Sequence, residues 1–327
     1  SVTVNDTVDT SAVGSQTGIT VNSAAAATLE VTGITDPVTA GTASSVTVTA
    51  KTAGGATATG YTGTITFTSS DGAATLPSNY TFLAGDNGTK TFAGGVTMKT
   101  AGERTVTATD TVTGSITGTQ SNITVNPGAA TTLTVAGITD PVVAGTASNV
   151  TVTAKDAYNN TATGYTGTVT FTSTDSAATL PANYTFVGGD AGVRTFTGGV
   201  TMKTVGERSV TATDTITGSI TGSQTSITVT PAAAATLTVS GVTDPIVAGV
   251  TSNVTVTAID AYSNTATGYT GTVTFTSSDA QATLPSNYTF VGGDAGTRTF
   301  TSGVTLKTAG ERTVTATDTV TGSITGT

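Results

Sequence analysis

Cysteine, histidine and tryptophan are all absent from this 327-residue chain, and charged residues make up only 9% of it. Without cysteine there is no disulfide framework, no thiol nucleophile and no cysteine metal site. General acid–base catalysis most often uses histidine, so the commonest catalytic side chain is also missing. The remaining carboxylates recur at equivalent positions along the chain, whereas an active site is normally built once. The sequence therefore argues against an enzyme.

Positive charge and long apolar runs are also scarce. Acidic residues outnumber basic ones by 20 to 11, which gives a formal net charge of −9. This charge argues against nucleic acid and anionic membrane surfaces as partners. No stretch approaches the ~20 apolar residues of a membrane-spanning helix, so we expect no membrane insertion in this segment. The abundant threonine and valine are typical of strands rather than of disordered chains.

The main positive feature is an internal repeat of 104 residues. Three short motifs recur at this spacing without insertion or deletion, so whole units are repeated. They are Thr-Asp-Pro (at Asp36, Asp140 and Asp244), Gly-Tyr-Thr-Gly (at Tyr61, Tyr165 and Tyr269) and Gly-Glu-Arg (at Glu103, Glu207 and Glu311).

The repeat predicts three domains and a fragment. Residues 1–22 match the C-terminal strands of a preceding repeat, because Val4–Val8 aligns with Ala108–Val112. The predicted repeats are 23–127, 128–231 and 232–327, the last of them without its final strand. A unit of about 100 residues is large enough to bury a core of its own.

Alternation of apolar residues with threonine predicts half-buried strands throughout each unit. No window has helical periodicity, and turn clusters such as Gly188-Gly189-Asp190 separate the strands. Seven or so short strands in this length indicate an all-β fold of tandem, immunoglobulin-like antiparallel sandwiches. In the second unit the predicted strands are 132–135, 150–154, 169–171, 184–186, 194–196 with 200–202, 210–212, and Ile220 followed by 227–229.

Two stretches carry a family resemblance: Ala-Gly-Thr-Ala-Ser-Asn-Val-Thr-Val-Thr-Ala-Lys-Asp-Ala-Tyr-Asn-Asn (144–160) and Gly-Tyr-Thr-Gly-Thr-Val-Thr-Phe (164–171). The unit resembles the bacterial immunoglobulin-like repeats found in tandem in large surface proteins, including invasin- and intimin-type adhesins. That resemblance implies secretion, display at the cell surface and a spacer or adhesive role. The first unit departs from its sisters, with Lys51-Thr52-Ala53-Gly54-Gly55 where they have Lys or Ile followed by Asp-Ala-Tyr.

Calcium is the metal that the sequence favours, because oxygen-rich loops bind it and tandem extracellular domains often carry it at their joints. Glu207 is expected in a turn that points toward the next domain's loop. The alternative is that the aspartates simply form turns and loop caps, with no cofactor. The candidate ligands are Asp140, Asp156, Glu207, Asp244 and Asp260.

The two ends suggest an assembly contact. The seven residues Gln16, Thr17, Gly18, Ile19, Thr20, Val21 and Asn22 resemble the final strand that the third unit lacks. One interpretation is that this segment completes the sandwich of the next subunit, as in donor-strand complementation. The interpretation that the sequence favours is that the chain is a window of a longer repeat protein, whose neighbouring repeats lie end to end.

Together these observations predict a non-catalytic structural segment of an extracellular fibre, stalk or cell-surface filament. Its partners would be copies of itself or adjacent repeats. The alternative is an adhesin or carbohydrate-binding module that recognises a surface glycan or receptor. Exposed aromatics usually carry such binding, and Tyr158 and Tyr262 are the residues available for it.

Overall fold

The computed structural model describes residues 1–20 and 24–327. They form two compact units, one of Ser1–Ala129 with Asp156–Asn160 and the other of Ala130–Lys155 with Thr161–Thr327. Strands dominate both units, and the helices are single 3-10 turns at Ala84–Asp86, Gly188–Asp190 and Gly292–Asp294. No helix in the described part of the chain is long and apolar enough to cross a membrane.

An exposed hairpin opens the chain, formed by β1 (Val2–Asn5) and β2 (Val13–Gln16). The first repeat contains β3 (Ala26–Thr32), β4 (Val38–Thr39), β5 (Ala43–Thr52), β6 (Thr64–Ser69), β7 (Tyr80–Thr81), β8 (Thr89–Thr97), β9 (Gly102–Asp110) and β10 (Thr117–Asn126). The second contains β11 (Thr132–Ala136), β12 (Val142–Val143), β13 (Ala147–Lys155), β14 (Thr168–Ser173), β15 (Tyr184–Thr185), β16 (Val193–Thr201), β17 (Gly206–Asp214) and β18 (Thr221–Thr230). The third contains β19 (Ala234–Ser240), β20 (Thr251–Asp260), β21 (Thr272–Ser277), β22 (Tyr288–Thr289), β23 (Thr297–Thr305), β24 (Val314–Asp318) and β25 (Thr325–Gly326).

Each complete repeat is a sandwich of a three-stranded and a five-stranded sheet. In the second repeat the strand orders are β11-β13-β16 and β12-β18-β17-β14-β15. All pairs are antiparallel except β12 with β18, which is parallel. The fold is therefore all-β, with tandem immunoglobulin-like sandwiches at a 104-residue repeat, as the alternation predicted. The third repeat has a four-stranded second sheet, β22-β21-β24-β25.

The core of each repeat lies between its two sheets. Val150, Val152 and Ala154 of β13 are fully buried, as their alternation with threonine predicted. The sheets approach so closely at Gly222 that a Cβ there would lie 1.9 Å from the carbonyl oxygen of Leu133. Separate core clusters occupy Leu29–Val125, Leu133–Val229 and Leu237–Ala316. The domain bounds proposed from the sequence stay a prediction.

Two details go beyond the sequence-based prediction. The stretches 194–196 and 200–202, which the sequence leaves open as one strand or two, fall in a single strand, β16, except for Met202, and its pairing with β13 shifts register between Ser148 and Val150. The short strand β12 was not predicted, because two residues are too few to show alternation.

Candidate functional site: a clasp formed by a loop on the preceding repeat

The loop between β20 and β21 hydrogen-bonds the repeat that precedes it, and all the residues involved belong to the second compact unit. Three side chains hold the loop in place: Asn264 makes these hydrogen bonds, Tyr262 packs against the preceding repeat, and Asp260 binds the linker. Equivalent side chains occupy the loop after β13. We call each set of three the clasp: Asp260, Tyr262 and Asn264 in the third repeat, and Asp156, Tyr158 and Asn160 in the second.

Asp260 ties the loop to the linker that enters its own repeat. Its carboxylate is 3% exposed. Oδ1 accepts hydrogen bonds from the backbone N–H groups of Tyr262 (2.8 Å) and Asn264 (2.9 Å). Oδ2 accepts from the N–H of Ala232 (3.0 Å) and from Asn264 Nδ2 (2.9 Å). The buried charge is thus held by four donors, as a buried carboxylate requires.

These donors also set the acidity of Asp260. Burial acts to raise the pKa of its carboxyl, but the hydrogen bonds from Asn264, Ala232 and Tyr262 together outweigh it and lower the pKa. Asp260 is therefore ionised at neutral pH, and its negative charge strengthens the contacts with the loop and the linker.

Asn264 reaches the second repeat itself. Its Nδ2 donates to the carbonyl of Lys203 (2.8 Å), and its Oδ1 accepts from the N–H of Val205 (3.1 Å). Both backbone groups belong to the turn between β16 and β17. The primary amide offers a donor and an acceptor side by side, so one side chain satisfies two backbone groups of the turn.

Tyr262 lies against Gly145, which follows β12 in the second repeat. Gly145 has φ +84°, and a Cβ there would lie 2.1 Å from the tyrosine hydroxyl oxygen. Glycine is required at this position twice over, because the backbone is left-handed and the ring occupies the place of a side chain. The ring remains 37% exposed.

The clasp of the second repeat reproduces this geometry within the first compact unit. Asp156 Oδ2 accepts from the N–H of Gly128 (2.8 Å). Asn160 donates to the carbonyl of Lys99 (2.8 Å) and accepts from the N–H of Ala101 (2.9 Å). A Cβ on Gly41 would lie 2.4 Å from the Tyr158 ring. Through these contacts residues 156–160 group with the first repeat.

The first repeat lacks the clasp. Its loop has Thr52, Gly54 and Ala56 at the three positions. The sequence reveals this departure, but the two clasp asparagines were not predicted as contact residues. Their partners are backbone groups, which no motif marks. The signal that could have found them is the joint loss of Asp, Tyr and Asn from one repeat.

The predicted calcium ligands make different contacts in the structure. The oxygens of Asp156 and Asp260 accept the hydrogen bonds of the clasp. Asp140 Oδ1 accepts from the N–H of Thr228 (2.9 Å), so Asp140 holds β18. Glu207 was expected in a turn but lies in β17, opposite Thr228, where it is exposed. The turn before it does contact the next loop, but through the backbone of Lys203 and Val205.

Asp244, the remaining candidate, is exposed. Within residues 1–20 and 24–327, no three or more histidine, cysteine or acidic side chains group as they would around a metal ion. Calcium binding at these positions stays a prediction.

The predicted assembly segment begins in a strand. Gln16 ends β2 and lies opposite Val2. Thr17, Gly18, Ile19 and Thr20 follow as exposed, non-strand residues. Val21 and Asn22 lie outside the described residues.

No protein-family model matches this chain, and no curated protein matches it. Solved structures do. The adhesin FdeC of Escherichia coli is 22% identical, with 92% of this chain and 95% of that chain covered and a TM-score of 0.43.

Two further structures are similar to this chain. Invasin, described as a bacterial integrin-binding protein, is 21% identical over 89% of this chain, with a TM-score of 0.34; the chain spans 57% of its length. InvD of Yersinia pseudotuberculosis is 19% identical over 90% of this chain and 94% of that chain, with a TM-score of 0.34. At these identities the likeness concerns the fold.

Proposed function

We propose that this chain is a non-catalytic structural segment of an extracellular fibre, stalk or cell-surface filament, in which the clasps restrict movement between neighbouring repeats. The observation that carries the proposal is the clasp itself. It recurs 104 residues apart with the same three side chains, with equivalent backbone partners and with a glycine against the tyrosine ring.

The clasp suits a load-bearing role because it contacts the preceding repeat at two places and also fixes the linker between the repeats. Asn264 holds the turn at Lys203 and Val205, and Tyr262 covers Gly145. Asp260 holds the linker at Ala232. Contacts of this kind make the stability of an array depend on nearest neighbours, so length can be set by the number of repeats.

The same contacts favour a structural role over an adhesive one. Tyr158 and Tyr262 were the aromatic side chains available for a glycan, and both rings lie against glycines of the preceding repeat. An adhesive role would appear as binding to a glycan array, and surface display as antibody labelling of intact cells of the source organism.

The test of the clasp uses pairs of spin labels. Ile216 and Val320 are equivalent residues of the second and third repeats, each 90% exposed, and the chain has no native cysteine. Labels at Ile216→Cys and Val320→Cys report the spread of distances between these repeats by electron–electron double resonance. We expect a narrow distribution, and one at least about twice as broad in the Asp260→Ala/Asn264→Ala variant, because six hydrogen bonds of the clasp are gone.

The matched control is Glu207→Ala, which removes an exposed carboxylate near the joint but no clasp contact. It should keep the narrow distribution. If the distance distribution of the unmodified chain were as broad as that of the Asp260→Ala/Asn264→Ala variant, the result would contradict the proposed role.

A further inference from the structure

The motif Asn-Tyr-Thr recurs in all three repeats, beginning at Asn79, Asn183 and Asn287. Asparagine, then any residue except proline, then serine or threonine is the pattern that enzymes recognise when they attach a sugar to an asparagine amide. Threonine is so abundant in this chain that the pattern also occurs elsewhere. Asn-Tyr-Thr is the version of it that every repeat has, so its place in the fold decides what it can do.

The motif lies at an open edge of the five-stranded sheet. In the second repeat Tyr184 and Thr185 form β15, the last strand in the order β12-β18-β17-β14-β15. Asn183 comes directly before β15 and belongs to no strand. Among the described residues β15 pairs with β14 alone. The backbone of the motif can therefore be reached from the side of the sandwich without breaking the sheet.

The middle residue of the motif turns inward and leaves the outer two on one face. The Tyr184 ring packs edge-on against Phe186 (5.7 Å between centroids) and Phe196 (5.4 Å). Successive side chains of an extended chain point in opposite directions, and Asn183 and Thr185 are both exposed. The first and third repeats show the same pattern of exposure. An enzyme that reads the asparagine and the hydroxyl two residues later meets both from outside.

The asparagine amide has no structural task in this motif. Within residues 1–20 and 24–327, the side chains of Asn79, Asn183 and Asn287 make no hydrogen bond. The amide nitrogen is the atom that bonds to the sugar. Modification at these three positions therefore disturbs no contact of the fold.

The pattern at Asn149 and Asn253, which reads Asn-Val-Thr, is placed differently. These residues belong to β13 and β20, and each of these strands lies between two others, in the orders β11-β13-β16 and β19-β20-β23. Their Oδ1 atoms accept hydrogen bonds from the N–H groups of Gly198 (2.8 Å) and Ser302 (2.8 Å). A central strand with an engaged amide is a poor substrate, because the sheet would have to open first. The other occurrences belong to single units and begin at Asn5, Asn87, Asn122 and Asn159.

We propose that Asn79, Asn183 and Asn287 each carry an asparagine-linked glycan. The sugar donor is a glycan activated through a diphosphate at its anomeric carbon, C1. A bond forms between Nδ2 and C1 as the bond from C1 to the diphosphate oxygen breaks. The diphosphate leaves with the electron pair, and Nδ2 loses one proton to a base of the transferase.

This inference goes beyond the structural role of the repeats, because it gives each of them a hydrated group at the same sheet edge. An exposed edge strand is a template for pairing with another chain. A bulky glycan beside β15 obstructs such pairing, and β7 and β22 would be covered in the same way. The modification would thus keep neighbouring fibres apart along their length.

The experiment compares proteolytic peptides of the protein from its source organism with those of the chain made in a host without asparagine-linked glycosylation. Mass spectrometry with electron-transfer fragmentation assigns any added sugar to a residue. We expect added sugar on Asn79, Asn183 and Asn287 in most molecules from the source organism, and none on Asn149 or Asn253. The host's peptides should have the masses of the bare sequence.

Two substitutions made in the source organism test recognition of the motif. Thr185→Ala removes the exposed hydroxyl and leaves Asn183 in place, so the glycan at Asn183 should be lost. Thr185→Ser is the matched control and should keep that glycan, because it keeps the hydroxyl. The glycans at Asn79 and Asn287 of the same molecules should remain in both variants, which shows that the variants fold and reach the transferase.

Three results would overturn the proposal. They are bare Asn79, Asn183 and Asn287 in protein from the source organism, a glycan at Asn183 that persists in Thr185→Ala, and sugar on Asn149 and Asn253 as often as on the three proposed sites. None of these results bears on the clasp, since the spin-label distances are measured on chain made without glycan.

Discussion

A buried carboxylate holds the turn between the two sheets in every repeat. Asp175 is 2% exposed and accepts from the N–H of Lys203 (2.6 Å) and from the N–H (2.9 Å) and hydroxyl (2.7 Å) of Thr204. Ala177 N–H supplies a fourth bond at 3.0 Å. This turn is the one that Asn264 contacts, so Asp175 also shapes the surface that the clasp binds.

Substitution Asp175→Ala should destabilise the second repeat by roughly 2–4 kcal/mol, because buried N–H groups lose a charged acceptor. Native-state hydrogen exchange of β13 and β17 measures this repeat separately from the others. Glu207→Ala, an exposed carboxylate of the same repeat, should change it by less than about 0.5 kcal/mol. Equal effects of the two substitutions would show that the hydrogen bonds of Asp175 contribute nothing beyond its charge.

Stability should be flat across neutral pH and fall in acid and in strong base. Burial acts to raise the pKa of Asp175, but hydrogen bonds from Lys203 and Thr204 outweigh it and lower the pKa. As the pH falls below about 4, this carboxyl is therefore protonated in the unfolded chain before it is protonated in the folded chain, and the free energy of unfolding falls. Burial and the hydrogen bond to Asp214 raise the pKa of Tyr165. Above about pH 10 the unfolded chain therefore loses the tyrosine proton more readily than the folded chain, and the free energy of unfolding falls.

Urea midpoints measured from pH 2 to pH 11 check both limbs. With no histidine in the chain, no side chain with an unshifted pKa titrates between about pH 5 and 8. A midpoint that moves strongly inside this window would contradict the assignment of pH dependence to the aspartates and tyrosines.

At the scale of strands, the sequence predicts best what alternation marks. From Val150 to Ala154 every second residue of β13 is apolar, and that pattern placed Val150, Val152 and Ala154 in the core. The pattern fails for β12, where two residues pair in parallel with a strand distant along the chain. It also leaves the partner of each strand open, because alternation distinguishes the two faces of a strand but not its neighbours.

Loops were predicted less completely than strands, for a physical reason. The sequence marks Asp156 and Asp260 as loop residues that bind calcium or cap the loop, because a carboxylate serves for either. The backbone donors that they bond, such as the N–H groups of Gly128 and Ala232, depend on the fold and are not marked by any motif. The contact of Tyr262 with Gly145 is equally invisible, since it joins residues of different repeats.

On the scale of the whole molecule, three cores separated by short linkers should yield under force one at a time. Each event should release a contour length of roughly 35 nm less the folded length of a repeat, from 104 residues at about 3.3–3.6 Å each. Tension applied at the two ends loads β12 against β18 in shear, because the pair is parallel. In the first repeat β4 and β10 are paired in the same way.

The described part of the third repeat has no such parallel pair. We therefore expect it to unfold first and at the lowest force, since forced unfolding follows the unfolding rate and fewer bonds must break together. Optical tweezers on the 327-residue chain measure this, and the first two repeats serve as internal controls for the third. Three equal forces would show that the parallel pair carries no mechanical load.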